Sequence, residues 1–96
     1  MSNPIERFSR FIAVHDSGCH LWTGSTTPKG YGQFKLNDRP QYAHRMAYLF
    51  HYGRIPNGTQ IDHLCRVKNC VNPQHLEAVT ASMNVWRAKV AGRTTT

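Results

Sequence analysis

The sequence predicts an α+β fold: a small antiparallel sheet and helices in the N-terminal part, then a strand, loop, strand and helix. Three observations carry this. Apolar residues recur at helical spacing in three segments, they alternate at strand spacing in several short stretches, and turn residues punctuate the whole. At 96 residues the chain is expected to form one domain over 1–96, with the strand–strand–helix unit at about 60–91 and a frayed tail at 92–96. A chain of this size buries only about 60–65 % of its unfolded surface, so a metal, cross-link or partner would add stability it needs.

The elements follow in order. Asn3, Pro4 and Glu6 open a helix: Asn caps, Pro takes the first helical position, and the acid three residues past the cap can reach back. Ile5, Phe8, Phe11 and Ile12 share a face, which predicts a helix to about Val14. From Cys19 the period changes. CHLWTG and YGQFKL read as strands flanking the turn-rich STTPKG, and Asn37-Asp38 turns the chain into RPQYAH, giving a three-stranded antiparallel meander. Ala43 to Tyr52 is helical through Met46, Tyr48, Leu49 and Tyr52, with Gly53 as its stop. After the loop RIPNGTQ, Gln60 to Leu64 and Glu77 to Val79 read as short strands. Thr80 then caps a helix from Ala81 to about Ala91, with Met83, Trp86 and Val90 as its apolar stripe. Trp22 and Trp86 are both expected in the core rather than stacked on bases.

Twelve Lys and Arg against five Asp and Glu give a net charge of +7, spread from Arg7 to Arg93. Such a surface favours a polyanion, most economically nucleic acid. The longest apolar run, Met46 to Phe50, is far shorter than the roughly 20 residues of a membrane span, so no membrane association is expected. No secretory signal is evident, and three cysteines cannot all pair within one chain. Both points suggest a reducing compartment, the cytoplasm, with the cysteines serving as metal ligands rather than disulfides.

Cys65, Cys70 and His75, at two equal spacings, place three zinc-capable donors in one loop. Cys19 could close a tetrahedron from the first strand, with His20 as the other candidate, and a structural Zn²⁺ would supply folding free energy. The alternative is that the cysteines are buried small hydrophobes. Asn72-Pro73 either forms the turn that aims His75 inward or lets Asn72 donate to the loop backbone. In Asp62-His63, the carboxylate is a hard oxygen ligand for a divalent cation and the imidazole, neutral near pH 7, can take a proton from water. Asn84, one turn into the last helix, can present its amide oxygen to the same ion, and two protein oxygens suit Mg²⁺ (or Mn²⁺).

Asp62-His63, His75-Leu76-Glu77, Thr80 and Asn84 together resemble the HNH (His-Me finger, ββα-metal) endonucleases, especially small phage-type members with an Asp-His start and an Asn on the helix. YAHRMAYLFHYGRIPNG and CHLWTGSTTPKGYGQF resemble the entry segment of that group, so the resemblance covers about residues 18–90. The chain departs from the motif's name in carrying Asp62 at the first position and His75 where many members have the central Asn. The resemblance implies a ββα-metal fold and cleavage of DNA to a 5′-phosphate and a 3′-hydroxyl. His63 would activate water, while one ion on Asp62 and Asn84 would neutralise charge at the phosphate. It also implies that His75 could hold the loop by hydrogen bonds, as the central residue does in the family, and that His44 lies near the motif.

Candidate contacts with the nucleic acid are Arg66 and Lys68 in the loop, Arg87 and Lys89 on the last helix, and Lys29, Lys35 and Arg39 in the hairpins. Arg45 could reach a phosphate or be an ion-pair partner. The expected partner is DNA, inside a bacterial or phage-infected cell. Monomer and homodimer both remain open, since no heptad or apolar patch fixes a dimer. The competing reading is a zinc-stabilised nucleic-acid-binding module without chemistry.

Overall fold

In the computed structural model, residues 3–83 and Trp86 are described. The element order is α1 (Pro4–Ser9), β1 (Ile12–Val14), β2 (His20–Trp22), β3 (Gln33–Leu36), β4 (Arg39–Tyr42), α2 (Ala43–Tyr52), β5 (Thr59–His63), a 3₁₀ turn (Pro73–His75) and β6 (Leu76–Thr80). Residues 81–83 are helical. The α+β class expected from the sequence is the one found, with short antiparallel sheets and helices.

The first helix starts as expected, with the Asn3 side chain accepting the Ile5 N–H at 2.8 Å and Pro4 in the first turn. It ends at Ser9 rather than near Val14. Residues 12–14 instead form β1, antiparallel to β2 in the register Ile12–Trp22 and Val14–His20. The Thr23 N–H closes the pair on the Phe11 carbonyl at 2.7 Å. The β-branched Ile12 and Val14 suit a strand at least as well as a helix, and the ladder decides between them. Of the anticipated apolar face only Phe8 is buried, and Ile5 is half exposed.

The expected meander is replaced by three two-stranded sheets, β1–β2, β3–β4 and β5–β6. The reason is that the second edge of β2 is already taken. Trp22 N–H donates to the Asn69 carbonyl at 2.8 Å and Val71 N–H to the His20 carbonyl at 2.7 Å, so the loop between β5 and β6 adds to β2 like a strand. β3 and β4 pair through Asn37-Asp38, whose φ of 51° and 64° are those of the two-residue turn that matches strand twist.

Helix α2 spans the predicted residues and stops at Gly53, whose φ of 88° is the left-handed cap and whose N–H returns to the Leu49 carbonyl. Its Ala43, Met46 and Ala47 join Phe8, Trp22, Phe34, Ile61, Val71 and Leu76 in one core. Phe8 is the aromatic hub, with ring centroids 4.8 Å from Trp22, 5.1 Å from Phe34 and 5.3 Å from Phe50. Thr80 caps the following turn, its Oγ1 accepting the Met83 N–H at 3.2 Å. Contrary to expectation, Met83 and Trp86 are exposed, Trp86 by 59 %. Val90 lies outside the described residues.

The indole of Trp22 is buried between two glycines. A Cβ on Gly32 would stand 2.6 Å from Trp22 Cδ1 and 3.0 Å from the Ala43 methyl, and one on Gly24 would stand 2.9 Å from Trp22 Nε1. The packed indole cannot give way without moving Phe8 and Phe34. Gly32→Ala is therefore expected to cost about 1–3 kcal/mol, the usual range for overpacking. A thermal melt of the variant checks this, since each kcal/mol moves the midpoint by about 4–8 °C in a domain of this size.

Candidate functional site

The loop 64–75 is folded around four donor atoms. Cys19 precedes β2, Cys65 and Cys70 lie in the loop, and His75 ends the 3₁₀ turn. Their Sγ and ring-nitrogen atoms all lie within 4.8 Å of one another. His75 Nδ1 is 3.5 Å from Cys70 Sγ and 3.7 Å from Cys19 Sγ. Zinc bonded to sulfur at about 2.3 Å and to nitrogen at about 2.0–2.1 Å in a tetrahedron puts neighbouring donors about 3.5–3.8 Å apart. The group therefore fits zinc in both donor type and spacing. Burial pushes the Cys70 thiol up to about 12, so a cation is what would make a thiolate favourable there.

Asn72 caps the turn before His75, and its amide donates outside the loop rather than to the loop backbone. Its Oδ1 accepts the Gln74 N–H at 3.0 Å and caps the 3₁₀ turn that carries His75, while its Nδ2 donates to the Gly18 carbonyl at 2.8 Å, next to Cys19. Gly18 sits at φ 91°, the left-handed region that favours glycine, while a Cβ there would meet the His75 ring only at an ordinary contact of 3.7 Å. His20, the other candidate for the fourth ligand, is not in the cluster.

The second feature is a cleft of about 570 Å³ lined by Lys29, Tyr31, Tyr42, His44, Arg45 and the β5 residues Gln60 to His63. His63 is buried at the end of β5, and its Nε2 lies 3.1 Å from the Cys70 carbonyl oxygen. A carbonyl only accepts, so Nε2 carries the proton and Nδ1 keeps the lone pair of the neutral ring. Burial holds the His63 pKa below its ordinary value, against the opposing pull of that carbonyl and of the Asp62 charge. Cys70 thus links the two features, with its thiol in the cluster and its carbonyl on the imidazole.

Asp62 lies beside His63, with one carboxylate oxygen 3.6 Å from an Arg66 guanidinium nitrogen. Arg66, at φ 64°, also donates to the His63 carbonyl at 3.0 Å. His44, in the first turn of α2, packs against His63 with ring centroids 4.5 Å apart and the planes tilted by 48°. Burial, then the His63 and Arg45 charges, push its pKa down to about 3.

The candidate contact residues are divided between regions. Lys29 and Arg45 line the cleft, and Lys68 braces it, donating to the Lys29 carbonyl at 3.2 Å with its ammonium 5.6 Å over the Tyr31 ring. Lys35 lines a different hollow, with Arg7, Phe11 and Trp22, and Arg39 is exposed at the β3–β4 turn. Asn84, Arg87 and Lys89 lie outside the described residues. Tyr31, Tyr42 and Gln60 were not singled out from the sequence, where no period or motif marks them.

Residues 41–85, which span α2, the β5–β6 hairpin and the loop between, match the family model for HNH endonucleases. That segment places the chain in the HNH family. Two curated relatives are proteins of Escherichia phage T7. Protein 7.7 is 36 % identical over 78 % of this chain and 58 % of its own length, and Protein 2.8 is 35 % identical over 82 % and 55 %. The uncharacterized gene 5.3 protein of Enterobacteria phage T3 is 42 % identical over a shorter stretch, 38 % of this chain and 36 % of its own. The HNH chain thus spans little more than half the length of the T7 relatives. No solved structure matches it. Cys19 lies ahead of the matched segment, so the HNH loop draws its fourth zinc-capable donor from the N-terminal half. Among the described residues no helix is long and apolar enough to cross a membrane.

Proposed function

We propose that this HNH chain is a metal-dependent DNA endonuclease that hydrolyses phosphodiester bonds to a 5′-phosphate and a 3′-hydroxyl, with His63 as the general base. The observation that carries the reading is the His63 ring, neutral, with Nε2 committed to the Cys70 carbonyl and Asp62 beside it at the cleft. A base tethered at one nitrogen accepts a proton at the other in a fixed direction. Nδ1 takes a proton of a water, the oxygen of that water bonds to phosphorus, and the bond from phosphorus to the 3′ oxygen breaks, the departing oxygen taking a proton from solvent to become the 3′-hydroxyl. Lys29 and Arg45 bind and orient the backbone through its phosphates.

The donor set beside the base fits a hard divalent cation. Asp62 offers carboxylate oxygen and already holds a cation, the Arg66 guanidinium, at 3.6 Å. Bound by Asp62 and Asn84, Mg²⁺ or Mn²⁺ would supply Lewis-acid neutralisation of charge on the phosphate and the leaving oxygen. Zinc on Cys19, Cys65, Cys70 and His75 has a structural part, holding the loop that carries the Cys70 carbonyl. The phage relatives favour an infected host cell as the setting, with the chain acting as a monomer or homodimer.

Supercoiled plasmid incubated with the zinc-loaded protein and Mg²⁺ or Mn²⁺ is expected to be nicked or cut, leaving ends that ligate without prior phosphorylation. Plasmid that is bound with steep salt dependence yet stays intact under every divalent ion would establish the non-catalytic binding module instead.

A further inference from the structure

His44 is the unexplained residue of the cleft. It is 7 % exposed, and among the described residues its Nδ1 is the one buried side-chain nitrogen or oxygen with no hydrogen-bond partner. Unpartnered buried polar atoms are rare because each forfeits about 1–3 kcal/mol of hydration. A helix would be more stable with an apolar residue packed there, so the imidazole is a cost borne for something.

The surroundings indicate what that is. Three aromatic groups pack around the ring, with centroid distances of 4.5 Å to His63, 5.4 Å to Tyr42 and 5.8 Å to Tyr31. The side chain also lines the cleft between Arg45 and the β5 residues Asp62 and His63. Tyr42, His44 and Arg45 are the cap and first turn of α2, where the aligned peptide dipoles of the helix leave a partial positive charge. The cleft thus presents two cationic side chains, a helix start and a second imidazole to whatever enters beside the base.

We propose that His44 is a second substrate-contacting imidazole, a neutral ring whose Nε2–H donates a hydrogen bond to a non-bridging oxygen of the phosphodiester that His63 attacks through water. A phosphate oxygen only accepts, so the bound ring must carry its proton on Nε2, leaving on Nδ1 a lone pair. Neutrality suits the part. An imidazolium in contact with His63 would discourage that ring from taking up the water proton, whereas a neutral donor steadies charge on the phosphate without competing. The low pKa of His44 keeps it neutral throughout the range in which His63 works. His44 and His63 then divide the labour, one accepting from the nucleophile and the other donating to the electrophile.

The inference deepens the nuclease reading and rests on it for the identity of the substrate. It is tested with His44→Phe, which keeps an aromatic filler without a donor, and His44→Gln, whose amide nitrogen falls near the position of Nε2. His44→Phe is expected to lower kcat for plasmid nicking about 10²-fold, the usual effect of deleting one transition-state donor, with a smaller change in KM. His44→Gln is expected to recover most of that loss. Zinc content and melting temperature confirm that both variants are folded. Equal losses in the two variants, or none in His44→Phe, would overturn the proposal in favour of packing against His63.

A second measurement uses the wild-type protein and does not depend on turnover. Zinc-loaded, ¹⁵N-labelled protein is titrated with a short DNA duplex without added Mg²⁺ or Mn²⁺. The His44 ring should report the Nε2-protonated tautomer, and its Nε2 resonance should move on binding. An Nδ1-protonated ring in the complex, or an unmoved Nε2 resonance, overturns the proposal even if a variant fails to fold. If wild-type protein never cuts DNA the nuclease reading falls, while the titration still decides the phosphate contact.

Discussion

Cys70→Ser is expected to leave the chain largely unfolded at neutral pH, and removal of zinc from the wild-type protein is expected to do the same. Cys70 is fully buried, its thiol faces the His75 ring at 3.5 Å, and its carbonyl holds His63. Its N–H closes a turn on the Val67 carbonyl at 3.0 Å, and it bridges to Leu21. Serine offers a harder, far less acidic donor, and it breaks the set that joins the N-terminal strand to the loop. Structural zinc contributes about 10–16 kcal/mol in small metal-folded peptides. The whole stability of a domain is about 5–15 kcal/mol, so losing the ion can consume all of it. Elemental analysis should find one zinc per chain, and circular dichroism should show the loss of structure. A zinc-free protein that melts cooperatively, with Cys70→Ser melting at the same temperature, would sink this prediction. The sign of the pH effect follows from the buried thiol. Its proton must leave before a thiolate can bind the metal, so zinc affinity should weaken as pH falls.

Which parts of this arrangement can be read from the sequence depends on how local their causes are. Helix α2 is legible because apolar spacing and a left-handed glycine stop act within a few residues. The Asn37-Asp38 turn and the Thr80 cap are legible for the same reason. The meander is misread because β2 takes its second neighbour from residues 69–71, and nothing near residue 20 announces a partner so far along the chain. The choice between Cys19 and His20 is another such case. Adjacent residues at a strand point to opposite faces, so only the pairing of β2 with the loop tells which one meets Cys70. The first helix is overextended because Phe11 and Ile12 satisfy both periods. Only the family resemblance places His44 near the site. Its unpartnered nitrogen is a property of packing, and a histidine in the first turn of a helix carries no mark of it.

His63→Ala is expected to lower the cleavage rate by about 10²–10⁴-fold, the contribution usual for a positioned general base, while leaving DNA affinity within a few-fold. Alanine also strips the Cys70 carbonyl of its donor and empties a buried site, so a loss of activity alone could reflect a disturbed loop. His63→Gln separates the two causes, because its amide can still donate to that carbonyl but cannot accept a proton from water at any useful pH. Both variants should fail to cut, and His63→Gln should keep the wild-type zinc content and melting temperature. The wild-type pH profile gives the same assignment independently. Burial lowers the His63 pKa from its ordinary 6.5, so the ring is more than half neutral at pH 6.5. The midpoint of the acid limb of the rate profile should therefore lie below that value, with the rate falling as the base is protonated. A group that had to be protonated to act would give the opposite limb, with activity rising on acidification. Near-wild-type cutting by His63→Gln would remove His63 from the chemistry, and the tethered ring would then be only a strut between β5 and the zinc loop.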